Sequence, residues 1–190
     1  MGINLCVGHN PEFKVNTNEW IPSHPTRLLL SRNVAPPVAL PLDTVACGDV
    51  LSAEAVLSSP WSIANCLIAS TPNIIVNPGS FYSLSMYVHR PAAGNWTHGV
   101  RLAIKWFTAA DVFISLATSV LVTVPNASFE RMVYENRPSP ATAGKAYVAI
   151  DWDTDALGNH LYFTAVQFEE GPVATDYNNG LQPTFPPRFW

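Results

Sequence analysis

The chain predicts a single all-β domain, a two-sheet β-sandwich of jelly-roll type, followed by an extended Pro-rich C-terminal arm. Three observations carry that expectation. From residue 63 onward, short apolar runs rich in β-branched and aromatic residues alternate with turn signals. No segment between them keeps a helical period over a useful length. The closing run, HLYFTAVQFEE, stops at Gly171-Pro172, where Gly frees the backbone and Pro withholds an N–H. The chain is organised around that last strand, and its 190 residues fit one sandwich.

Taken in order, strand candidates at 3–7 and 12–15 are separated by Gly8-His9-Asn10-Pro11, which suits a segment running along a sheet edge. Trp20 is expected to cap the core, and 27–31 (RLLLS) reads as a buried strand. Residues 33–60 are irregular: Pro36, Pro37 and Pro41 argue against a continuous strand, while 50–57 reads as a strand or a single helical turn. Strands are then expected at 64–69, 73–76, 81–90, 100–108, 112–124, 129–136, 143–152 and 161–169. Asn77-Pro78-Gly79, 91–94, Ala109-Ala110-Asp111, Pro125-Asn126, 138–144 and 153–158 supply the turns.

Alternation assigns the faces. On 81–90, Tyr82, Leu84, Met86 and Val88 point inward, and Ser83, Ser85, Tyr87 and His89 outward. On 100–107 the inward set is Val100, Leu102, Ile104 and Trp106; on 143–152 it is Ala146, Val148, Ile150 and Trp152. If these strands share one sheet, its outer face carries Tyr87, His89, Arg101, Lys105, Tyr147 and Asp151.

Composition excludes several classes. A net charge of −4 with no basic run removes the phosphate-neutralising stripe of a nucleic-acid binder. No stretch approaches the apolar length of a membrane span. Hydrophobic residues make up 48% and charged residues only 13%, a lightly charged surface that suits burial in an assembly. Cys6, Cys47 and Cys66 form neither a disulfide framework nor a Cys-x-x-Cys clip and are expected as buried thiols. The opening MGINLCVGHN lacks the basic and apolar regions of a secretory signal, so the expectation is a soluble protein made in a cytoplasm.

Several motifs carry a resemblance. Asn4-Leu5, then Asn10-Pro11-Glu12-Phe13-Lys14 and Trp20, resemble the opening N-L…N-P-S-F-E…W of the carbohydrate-binding-module-like jelly-roll superfamily. Pro78-Gly79 through Val88 is similar to its P-G…Y-T-L-S…Y-V. Val166-Gln167-Phe168-Glu169-Glu170-Gly171 with Ala174-Thr175-Asp176-Tyr177 is similar to its closing V-Q-L-E-x-G…A-T-x-Y. Versions with this ending are frequent in minor tail and other virion proteins of tailed phages of actinobacteria. The resemblance spans residues 3–177 and implies one jelly roll at 1–177, leaving 178–190 as the arm. Members appended to enzymes hold a structural Ca²⁺ through a Glu and an Asp. Lys14 and Thr164 stand at the matching positions here, and an ammonium repels a hard cation, so no metal site is expected.

Other candidate chemistry is weak. Asp151, Asp153 and Asp155 alternate like the start of an EF-hand loop, but Ala156 and Tyr162 break the motif, and a strand entering a polar hairpin is the better reading. Glu169 and Glu170 are adjacent on a strand, point to opposite faces and cannot flank one bond. His9, His24, His89, His98 and His160 have no ligand spacing. No nucleophile elbow or phosphate loop is present, so no catalytic residue and no cofactor are expected. Sugar recognition needs an outward aromatic with polar neighbours, which Tyr87, Tyr147 and Trp96 supply with His89, Arg101 and Asp151. The arm NNGLQPTFPPRFW ends in Phe185, Phe189 and Trp190, aromatics suited to docking on another subunit.

The resemblance therefore implies a non-catalytic structural protein of a tailed-phage virion, similar to a minor tail protein. It would be made in the host cytoplasm and carried on the tail or head surface, in a homo-oligomer or larger assembly. Its partners would be other virion proteins and a host cell-envelope glycan. Two alternatives stay open: a capsid decoration protein using the same jelly roll, and a stand-alone bacterial carbohydrate-binding module.

Overall fold

The computed structural model describes residues 5, 20–22, 26, 28–33, 37–40, 50–55, 66–70, 74–91, 99–124, 126–152 and 158–177. Among them the β-branched and aromatic runs form eleven strands: β1 (Trp20–Pro22), β2 (Leu28–Asn33), β3 (Val50–Ala55), β4 (Cys66–Ser70), β5 (Ile74–Ile75), β6 (Phe81–His89), β7 (Val100–Phe107), β8 (Phe113–Thr118), β9 (Glu130–Pro138), β10 (Lys145–Trp152) and β11 (His160–Glu170). They build two antiparallel sheets. The first runs β1-β4-β10-β7-β8, with β5 also on β10; the second runs β2-β3-β11-β6-β9. The closing strand β11 lies at the centre of the second sheet, between β3 and β6.

The core fills the space between the sheets. Tyr82 and Phe168 of the second sheet stack at 5.1 Å, and Trp106 of the first packs on both, at 5.7 and 6.4 Å. Such ring pairs add roughly 0.5–1.5 kcal/mol each beyond the area they bury. The Tyr82 hydroxyl, carried to the edge of this cluster, accepts the Asn77 backbone N–H at 2.7 Å. Trp20 sits edge-on against Phe163 at 5.2 Å and is buried, the capping role its sequence position suggested.

A bulge decides which way β11 faces. Strict alternation from Leu161 and Phe163 would send Ala165 and Gln167 into the core. Instead Ala165 takes φ 52° and the register to β6 slips between Thr164 and Gln167. The extra residue flips the pattern, so Val166 and Phe168 enter the core and Gln167 and Glu169 turn outward.

Two expectations change. The run 112–124 is not one strand: β8 ends at Thr118, and Val122 returns only as an isolated bridge to Val100. Ser119 is the cause, because its hydroxyl takes the Leu102 N–H at 3.0 Å and donates to Val120 O. The single outer face assumed for β6, β7 and β10 does not exist either. Consecutive strands β6 and β7 belong to different sheets, so Tyr87 and His89 are parted from Arg101, Lys105, Tyr147 and Asp151 by the thickness of the sandwich. Residues 50–55 resolve as strand, with no helical turn.

Candidate functional site

The outer face of the second sheet is covered at its centre, around β6 and β11, while Leu29 and Val133 toward its edges stay exposed. Tyr87 is 8% exposed and forms a small second core with Val50, Phe129 and Ala165, against which Val38, Leu40, Tyr162 and Tyr177 pack. His89 is 2% exposed; its Nδ1–H donates to Ser128 O at 3.3 Å, and its ring lies on Phe129 and Tyr162. Burial lowers the His89 pKa, the Ser128 carbonyl works against that, and the nearby Arg90 charge adds to it. Neither residue offers a ring face to a sugar, which corrects the expectation for Tyr87 and His89. A residue on an outward strand position is exposed only when nothing folds over it, and here the chain's own segments do.

Much of that cover is the closing motif. After β11 the chain turns at Gly171, φ 146°, and runs back across the sheet, tied by Gly171 N–H to Phe81 O, Ser83 Oγ–H to Gly171 O, and Asn136 N–H to Pro172 O. Glu169, 1% exposed, accepts the Thr175 N–H at 2.9 Å, the Thr175 hydroxyl at 2.6 Å and the Gln167 amide at 2.6 Å. Gln167 also donates to Thr175 O, and Arg131 donates to Thr175 O and to Ser85 Oγ. The Q-x-E…A-T pattern is thus a lock, missed in the sequence as a structural device. Its signal was a set of polar residues on a strand otherwise apolar enough to be central.

The outer face of the first sheet carries a polar and aromatic cluster. Because β7 and β10 pair in register, Phe107 lies opposite Lys145, Lys105 opposite Tyr147, Ala103 opposite Ala149, and Arg101 opposite Asp151. Arg101, 31% exposed, donates its Nε–H to Asp151 Oδ2 at 2.6 Å, and its Nη2 lies at the same distance from that oxygen. Asp151 Oδ1 is buried and meets no donor among the described residues, a costly state for an acceptor. Tyr147 tilts against Phe107 at 4.8 Å, and Phe113 of β8 meets Phe107 edge-on at 5.6 Å. Lys145 is paired with Asp111 at 2.7 Å. Lys105, half-buried, makes no hydrogen bond or ion pair with any described residue; burial pulls its ammonium below the usual lysine range, while the Asp151 carboxylate pushes it back up.

Of the residues expected in a sugar site, the fold therefore pairs Arg101 with Asp151 and sets Tyr147 on the same face, farther along β10. It adds Lys105 and Phe107, whose roles the sequence pattern left unassigned because register, not alternation, makes them neighbours. Trp96, Phe185, Phe189 and Trp190 lie outside the described residues, as do Lys14, Asp153 and Asp155. Thr164 is buried opposite Tyr87. A second surface feature is a cleft of about 240 Å³ between Val120–Val124 and β9, of mixed lining, with Val122, Met132 and Val133 beside Thr123, Glu130 and Arg131.

No described protein family matches this sequence, and no curated protein sequence matches it. Solved structures match it as a fold. The enzymatically active domain of tailspike protein 4 of bacteriophage CBA120 aligns with a TM-score of 0.61 at 13% identity, over 88% of this chain and 21% of that one, so this chain spans about a fifth of that domain's solved chain. The C-terminal family 22 carbohydrate-binding module of Clostridium thermocellum Xyn10B aligns with a TM-score of 0.57 at 15% identity, over 86% and 94%. The Stig cyclase Fisc of Fischerella sp. TAU aligns with a TM-score of 0.61 at 10% identity, over 92% and 100%. At these identities the likeness is one of fold: the domain is a β-sandwich of the carbohydrate-binding-module type, an architecture that also occurs within enzymes.

Proposed function

We propose that the protein is a non-catalytic carbohydrate-binding sandwich that recognises a host cell-envelope glycan as part of a tailed-phage virion. The observation that carries the carbohydrate half is the cluster on the outer face of the first sheet. Tyr147 and Phe107 present ring surface for the C–H face of a sugar, with the Lys105 ammonium across the ladder from Tyr147 and the Arg101–Asp151 pair farther along the same face. The virion half draws its support from the resemblance of the closing motif to tail proteins. Assembly through the arm, with Phe185, Phe189 and Trp190 docking on another subunit, belongs to the same reading.

Isothermal titration of the purified protein with host envelope polysaccharide tests the site. Saturable binding that Tyr147→Ala and Arg101→Ala abolish, with unchanged circular dichroism, is the expected result; equal binding by all three proteins refutes it. A second reading, a module serving a glycan-processing enzyme, is favoured by the 94% of the Xyn10B module that this chain covers. Mass spectrometry of purified virions separates the two, because a tail component is present in few copies, a head decoration in many and an enzyme module in none.

A further inference from the structure

We infer that the glycan taken up on the outer face of the first sheet is anionic, its acidic group held by Lys105. This deepens the carbohydrate reading above and rests on it. Among the described residues that face carries three cations, Arg101, Lys105 and Lys145, against two carboxylates, Asp151 and Asp111. Two of the cations are already satisfied: Arg101 by Asp151 at 2.6 Å and Lys145 by Asp111 at 2.7 Å. The unneutralised charge falls on Lys105, in a chain whose net charge is −4.

The position of that charge argues for a ligand rather than for solvent alone. A surface lysine keeps its ammonium fully hydrated, whereas Lys105 stands in the middle of the sheet, on the strand between β10 and β8, with Tyr147 on one side and Leu116 on the other. Burial disfavours its charged form, and a compact anion brought against it restores what hydration it has lost. Tyr147, directly across the ladder, makes no hydrogen bond through its hydroxyl to any described residue, so a donor and a cation without partners sit side by side next to ring surface. A neutral sugar satisfies the ring and the hydroxyl but leaves the ammonium bare. A sugar bearing a carboxylate, phosphate or sulfate satisfies all three.

An array of immobilised neutral, uronate, sialate, phosphodiester and sulfated oligosaccharides, probed with the full chain and with Lys105→Gln, tests this. Expected are binding confined to acidic sugars, weakening as salt is raised, and a loss of roughly tenfold or more in Lys105→Gln. Lys105→Arg, which keeps the charge, is expected to retain most of the affinity. The acidic arms distinguish carboxylate from phosphate and sulfate sources. Binding to neutral sugars alone, or acidic binding indifferent to Lys105→Gln, overturns the anionic assignment and leaves the carbohydrate reading standing; no binding to any sugar overturns both. Thermal melting of both variants checks that they fold, and removal of an unpaired ammonium is expected not to lower stability.

Discussion

Removing the carboxylate of Glu169 should release the segment that closes the second sheet. In Glu169→Ala the Thr175 N–H, the Thr175 hydroxyl and the Gln167 amide all lose an acceptor at 2.6–2.9 Å, in a place where Glu169 is 1% exposed. Hydrogen bonds to a charged group contribute about 1.5–3 kcal/mol each, and bonds sharing one acceptor do not add fully. A loss of about 3 kcal/mol is therefore expected. With a urea dependence of about 2 kcal/mol per molar, the unfolding midpoint falls by about 1.5 M. Hydrogen exchange should accelerate most at the Thr175 amide, which donates to Glu169, and next at Ala174, whose amide donates to Glu135 on the same released segment. A double-mutant cycle with Thr175→Val isolates the pair. A midpoint shift below about 0.3 M, with exchange unchanged at 174–177, would falsify the lock.

Other expectations follow from single contacts. A Cβ at Gly99 would meet Val122 O at 2.5 Å, across the bridge that ties Val122 to Val100, so Gly99→Ala should lower stability by about 1–3 kcal/mol in a thermal melt. Ala165→Gly relieves a left-handed conformation at φ 52° and should be neutral or mildly stabilising, whereas Ala149→Gly in regular strand should cost about 0.5–1 kcal/mol; equal losses would show that the bulge stores no strain. His89 binds its proton less readily folded than unfolded, where its pKa is about 6.5, so its contribution is complete above that pH and is lost as pH falls below it. Subtracting the pH–stability curve of His89→Phe from that of the parent should expose that acid-side loss, and a flat difference would contradict it. Deleting residues 181–190 should leave the melt of the sandwich unchanged while preventing incorporation into particles; unimpaired incorporation refutes docking by the arm.

The strands were largely legible because each is a local statement. Phe81–His89, Val100–Phe107 and Lys145–Trp152 alternate cleanly, and a period of two in β-branched and aromatic residues leaves little choice of local structure. The inward rows Tyr82, Leu84, Met86, Val88 and Leu102, Ile104, Trp106 were readable for the same reason. The end of β8 was not, because Ser119 diverts a ladder bond with its hydroxyl, and nothing in the run FISLATSVLVTV marks that serine as different from its neighbours.

What the chain by itself determined was the all-β sandwich, the inward faces of its long strands and the abrupt stop at Gly171. These depend on residues within reach of one another along the backbone. Tertiary structure decided which strands share a sheet, and with it the site. Tyr87 and Arg101 carry the same outward signature in sequence, yet one is sealed under residues 38–40 and Tyr177 while the other stands opposite Asp151. Alternation states only that a side chain leaves the core; what it meets there depends on strand order and on segments far away in the chain.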